Sequence, residues 1–216
     1  YIPNEGYSGM DLFVYQAFDG ELYSNQATVE FEVLNVNDAP VATPISAVTD
    51  EDVSVTIDLL GSDIDDVDLV YLLAQDSADG FVDIDGSQAT FTPDDNFNGI
   101  TTFTYRVTDG ELTSELATVT ITVNPINDAP LLSDINNQSI DEDEAFVYDI
   151  EAIDIDGDAI SYSVVIVSGD ASYQLVDNEL TVIPNSNWNG DIQVSVAAFD
   201  GELAHSDTFT LTVNPV

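Results

Sequence analysis

Ala117-Thr118-Val119-Thr120-Ile121-Thr122-Val123 sets an apolar side chain at every second position with threonine between. A period of two belongs to an extended strand, whose successive side chains point to opposite faces. The preceding stretch repeats the pattern, with Phe103, Tyr105 and Val107 alternating with Thr102, Thr104 and Arg106. One face is apolar and the other threonine-rich, as on a half-buried antiparallel sheet. Asp109-Gly110 supplies turn chemistry between the two stretches. Read outward in this way, residues 37–126 hold seven predicted strands, near 41–46, 53–59, 69–75, 80–84, 88–92, 100–108 and 116–124. No stretch shows helical periodicity, so the expected class is all-β.

The same pattern recurs along the chain. Residues 1–40 laid on residues 91–130, with a constant offset and no gap, agree at 17 of 40 positions. Asp19-Gly20-Glu21-Leu22 falls on Asp109-Gly110-Glu111-Leu112, and Asn37-Asp38-Ala39-Pro40 on Asn127-Asp128-Ala129-Pro130. A third copy begins near Val182, with Pro184, Gly190 and Asp200-Gly201-Glu202-Leu203 in the same order. Earlier halves match too: Asp50-Glu51-Asp52 with Asp141-Glu142-Asp143, and Asp63-Ile64-Asp65 with Asp154-Ile155-Asp156. The expected organisation is therefore the C-terminal half of a repeat (1–36) followed by complete repeats at 37–126 and 127–216. Each full repeat, about 90 residues, has the size of an immunoglobulin-like sandwich.

Charge narrows the function. The 216 residues include 42 Asp and Glu against one Arg and no Lys, for a formal net charge of −41. Chains this acidic often stay disordered, but here 44% of residues are hydrophobic and evenly spaced, enough for packed cores. With almost no cationic side chains, the chain is not expected to bind nucleic acid, because such binding rests on Lys and Arg neutralising phosphates. An anionic membrane surface repels it as well, and no run approaches the ~20 apolar residues of a membrane helix. The expected partners are cations. There is no Cys, hence no disulfide, thiolate metal site or cysteine nucleophile. An extracellular chain without disulfides needs another staple, and a metal is the candidate. No leader sequence is visible, and the chain opens inside a repeat.

Three acidic clusters recur at matching places and are expected at repeat ends: Asn-Asp-Ala-Pro at each boundary, Asp-Glu-Asp soon after it, and Asp-x-Asp in the next inter-strand loop. Two carboxylates ~4 Å apart at an effective dielectric of ~20 repel by roughly 4 kcal/mol. Several converging without a lysine therefore call for a bound cation. Calcium, which takes six to eight oxygen ligands in flexible geometry, suits this set. Zinc does not, given no Cys and one His. Asp154-Ile155-Asp156-Gly157-Asp158 is not an EF-hand loop, because Ala159 stands where that pattern needs Gly.

These residues resemble the cadherin-like tandem repeats of very large bacterial surface proteins and adhesins and, more distantly, animal cadherins. The resemblance covers the whole chain. It rests on the Asn-Asp-Ala-Pro linkers, Asp-Glu-Asp, Asp-x-Asp-Gly-Asp, Pro-(acidic/Asn)-x-x-aromatic-x-Gly and Tyr-x-Val-x-Asp-Gly. It implies tandem immunoglobulin-like, cadherin-like Greek-key β-sandwiches with Ca2+ at the joints. Carried over by motif, the joint before 127–216 would use Glu51, Asn127, Asp128, Asp154, Asp156 and Asp200. The joint before 37–126 would use Asn37, Asp38, Asp63, Asp65 and Asp109. Asp95 or Asn96 stands where cadherins carry Asp-Arg-Glu, and Asp95 joins the expected metal set.

Other conspicuous residues have plainer readings. Tyr7, Phe97 and Trp188 share one column of the repeat, each shortly before a Gly, and are expected to plug the sandwich end rather than to form a sugar-stacking platform. His205 is expected in a loop, exposed and without a role, and Arg106 on an outward strand face. Asn137-Gln138-Ser139 matches a glycosylation sequon, a short pattern of low specificity. No Ser-His-Asp order, nucleophile elbow or phosphate loop appears, so no enzyme is expected. The leading functional expectation is a calcium-rigidified spacer of a long extracellular adhesin or surface fibre. The alternatives are a filament subunit completed by a neighbouring copy of itself, and a carbohydrate- or cell-binding module.

Overall fold

The computed structural model describes residues 1–216, in which every regular element is a strand. Contacts divide them into two compact units, Tyr1–Pro125 and Ile126–Val216. No helix is long and apolar enough to cross a membrane.

The first unit opens with a hairpin of β1 (Gly9–Tyr15) and β2 (Ala27–Val33). A sandwich follows, made of β3 (Val41–Thr43), β4 (Ile45–Asp50), β5 (Val55–Asp58), β6 (Leu60–Ser62), β7 (Val70–Gln75), β8 (Gly80–Asp85), β9 (Gln88–Pro93), β10 (Gly99–Thr108) and β11 (Ala117–Asn124). One sheet has the order β4-β11-β10-β7 and the other β5-β9-β8, with β3-β6 as a short pair of its own. Phe103, Tyr105 and Val107 of β10 and Ala117, Val119, Ile121 and Val123 of β11 are buried in one core, as their alternation predicts.

Seven strands were expected here and nine form. The expected strand 41–46 divides at Pro44, which lacks an N–H and so cannot continue a ladder. Ahead of the proline, β3 pairs with β6; after it, β4 crosses to the other sheet and runs parallel to β11. The expected strand 53–59 divides likewise into β5 and β6 at Leu59, which turns into the core at 3% exposure. Tyr105 holds the displaced pair. Its buried hydroxyl lies 2.6 Å from the Thr43 carbonyl and 2.9 Å from that of Leu60.

The second unit repeats this plan. Its strands are β12 (Leu131–Leu132), β13 (Gln138–Asp141), β14 (Phe146–Asp149), β15 (Ala152–Ile153), β16 (Ser161–Ser168), β17 (Ala171–Val176), β18 (Glu179–Pro184), β19 (Gly190–Phe199) and β20 (Ala204–Asn214). The sheets are β13-β20-β19-β16 and β14-β18-β17, with β13 parallel to β20. His205 departs from expectation, since it lies within β20, half-buried, and its Nδ1 accepts the Leu132 N–H at 3.1 Å. With Asp207, whose Oδ2 accepts the Ile135 N–H at 3.0 Å, it ties the first strand segment to β20.

The hairpin 1–36 is built differently. β1 pairs with β2 in the register of β10 with β11: Phe13 faces Val29 as Phe103 faces Val119, and Tyr15 faces Ala27 as Tyr105 faces Ala117. No second sheet covers it. Phe13 and Tyr15 are 48% and 53% exposed, against 1% and 0% for Phe103 and Tyr105. Tyr1 folds back over this face, its ring 4.3 Å from that of Phe31.

Candidate metal centres at the repeat ends

In the first unit, five residues of the expected set gather where β10 ends. The Asp38 N–H donates to Asp65 Oδ2 at 2.8 Å. Asp63 Oδ1 accepts the N–H groups of Asp65 and Asp66 at 2.7 and 2.9 Å, which folds the acidic loop back on itself. Asp109 Oδ1 likewise takes the N–H groups of Glu111 and Leu112, both at 2.7 Å, while its Oδ2 accepts the Asn37 side-chain amide at 2.9 Å. The Leu112 N–H, helped by the Asn37 amide, holds the Asp109 carboxyl below the usual carboxylate range, so it stays ionised. Asn37, with its NH2 so engaged, has its carbonyl oxygen left to offer a cation.

The second unit builds the same arrangement. The Asp128 N–H donates to Asp156 Oδ2 at 2.9 Å, and Asp154 Oδ1 accepts the N–H groups of Asp156 and Asp158 at 3.0 and 3.2 Å. Carboxylate oxygens of Asp128 and Asp156 lie within 4.8 Å of one another. Asn127 donates to Asp200 Oδ2 at 2.9 Å, and Asp200 Oδ1 takes the Glu202 and Leu203 N–H groups. The Glu202 N–H chiefly lowers the Asp200 pKa, with Leu203 and Asn127 assisting against an opposing effect of burial. One difference is local: Gly157 separates Asp156 from Asp158, whereas Asp66 follows Asp65 directly.

One atom in each loop lacks a partner. Asp63 Oδ2 and Asp154 Oδ2 are both buried and accept no hydrogen bond. A carboxylate oxygen withdrawn from water without a donor is costly. The chain has no Lys, and its single Arg, Arg106, is exposed on β10. A hard cation that takes oxygen ligands satisfies such an atom, so the residues present fit Ca2+.

Residues 37–122 and 127–214 each match the family model of the bacterial Ig domain. The chain belongs to the bacterial Ig domain family. Among solved structures, mouse protocadherin-24 EC1-3 is similar to it with a TM-score of 0.54 and 15% identity, over 98% of this chain and 81% of that one. Human protocadherin-24 EC1-2, form II, gives 0.53 and 17% over 82% and 98%. These likenesses show the fold, that of cadherin ectodomains. An endo-fucoidan hydrolase from glycoside hydrolase family 107 aligns with 99% of this chain at a TM-score of 0.39 and 17% identity. The chain spans 35% of that enzyme's length. No curated protein matches it.

Two expected ligands lie at the other end of the first bacterial Ig domain. Glu51 is buried, and its Oε2 accepts the Asn98 amide at 3.3 Å just ahead of β10. Asp95 stands exposed in the adjoining turn, which the Phe97 N–H closes onto the Asp94 carbonyl at 3.0 Å. Ten residues of β10 separate this end from Asp109, roughly 33 Å at strand rise. Glu51 and Asp95 therefore share no site with Asp63.

The Asp-Glu-Asp tripeptide also divides its labour. Asp50 Oδ1 accepts the Asn124 amide at 3.0 Å, whereas Asp52 Oδ1 caps the aromatic turn by accepting the Asn96 N–H at 2.9 Å. In the second bacterial Ig domain Asp143 does the same for Asn187, also at 2.9 Å. Those caps hold Phe97 and Trp188 against the two cores, so both are plugs, as expected. Tyr7, in the same column, is 38% exposed because the hairpin has no closed core to plug. Sequence reasoning missed Glu5, which lines a cleft of about 400 Å³ with Asp38 and Asp63. The offset that aligns it with Asp95 could have found it.

Proposed function

We propose that this chain is a calcium-stiffened spacer of an extracellular surface protein. The observation that carries the reading is the buried, unpartnered Oδ2 of Asp63, repeated at Asp154. Two independent loops with the same folded-back Asp-x-Asp strand one carboxylate oxygen in the same way. At the first centre Asn37, Asp38, Asp63, Asp65 and Asp109 would hold the ion, with Glu5 at the rim. At the second, Asn127, Asp128, Asp154, Asp156 and Asp200 would do so, and the cadherin resemblance adds Glu51 and Asp95 from the preceding repeat. Calcium then supplies the positive charge that the side chains lack, and links successive repeats by shared coordination. A cell-surface location follows from this reading and from the family.

Isothermal titration of metal-stripped protein tests it. Asp154→Asn combined with Asp156→Asn should remove at least one calcium equivalent and leave both sandwiches folded, because these acids lie outside the cores. Unchanged stoichiometry would place the ion elsewhere.

A further inference from the structure

Ile64, between the two acids of the first loop, belongs to no core and is 54% exposed, yet it is not idle. It lies against Gly6, in the turn of the preceding hairpin that the Tyr7 N–H closes onto the Asn4 carbonyl at 3.1 Å. The approach is close enough that a Cβ on Gly6 would sit 2.6 Å from Ile64 Cδ1 and 2.9 Å from Cγ1. Gly6 has φ +69°, but the backbone alone does not call for glycine. The sister turns carry Asn96 and Asn187 in the same column, both at φ 57°. Asn tolerates this conformation. A side chain at position 6 would have to displace the outer end of Ile64.

The contact sits among carboxylates. On one side Ile64 lines the cleft that Glu5, Asp38 and Asp63 share. On the other, Gly6 lines a second cleft, of about 200 Å³, with Asp38 and Asp65. Without a cation these acids repel one another across the joint, and the contact of Ile64 with Gly6 lies between them.

We propose that Ile64 is a steric peg that seats the preceding repeat end on this sandwich and sets their angle without metal. The partner it fits is a repeat end with Gly in the column of Gly6. This goes beyond calcium stiffening, and it predicts a defined joint even in chelator.

The chain has no Cys, so a pair of introduced ones carries spin labels uniquely. Glu32→Cys on β2 and Asp83→Cys on β8, both exposed, report the joint by pulsed electron–electron resonance in excess chelator. The otherwise unsubstituted chain should give one narrow distance distribution. Gly6→Asn, which suits the turn but not the peg, should force it back by about 1 Å to reach ordinary contact. It should also widen the distribution roughly twofold, as overpacking does. Ile64→Ala should widen it too, and in that background Gly6→Asn should add nothing, the signature of a direct contact. Three results overturn the proposal: a broad distribution before any substitution at the joint, no response to Gly6→Asn, or an equal response with Ile64 already removed.

Discussion

Hydrogen exchange on the intact chain should show Ala27–Val33 exchanging at least about a hundredfold faster than Ala117–Val123, their counterparts in register. Both are the second strand of the same hairpin type, with the same offset and the same alternation. They differ in cover. Val119 and Ile121 are fully buried under a second sheet, while Val29 is 36% exposed and its neighbours Phe13 and Tyr15 are more so. Leaving a large apolar side chain in water forfeits roughly 1.5–3 kcal/mol. A two-stranded hairpin alone is marginal in water. Its amides should therefore open by local fraying, while those of β11 open only with the whole sandwich. Equal protection in a demonstrated monomer would show that the hairpin needs no covering sheet.

Millimolar calcium added to metal-stripped protein should raise the melting midpoint on the order of 10 °C. A ligand at a hundred times its Kd, bound only by the folded state, adds about 2.7 kcal/mol per site. For a domain of this size each kcal/mol is worth ~4–8 °C. The gain arises because the ion satisfies Asp63 Oδ2 and Asp154 Oδ2 and screens the acids folded around them. Magnesium at the same concentration should do much less, since it sheds water reluctantly and demands a stricter octahedron. No shift with calcium would mean that these oxygens are tolerated without a metal.

The sandwich strands were legible because alternation survives wherever one face is buried: 100–108 and 116–124 were placed within one residue of β10 and β11. The parallel pairing of β4 with β11 was not. Nothing in the local pattern tells which sheet a strand joins once Pro44 interrupts it, since that choice is made by long-range packing. At the site, the acidic loops were legible through their repetition, but the role of each acid was not. Asp50, Glu51 and Asp52 read as one cluster, although the fold aims each of them differently. His205 was misjudged for a similar reason. A lone histidine near a turn gives no sign that β20 extends through it to offer Nδ1 to Leu132.

Small-angle scattering of the full chain, in calcium and then in excess chelator, is the most direct test of the claim that calcium stiffens the array. With calcium, the profile should fit a single narrow population of maximum dimension. On chelation it should require a broader ensemble of angles at the joint before residue 127, and it should return on adding calcium back, while Asp154→Asn with Asp156→Asn remains broad throughout. Superimposable profiles with and without calcium, in protein shown by titration to bind the ion, would contradict the account.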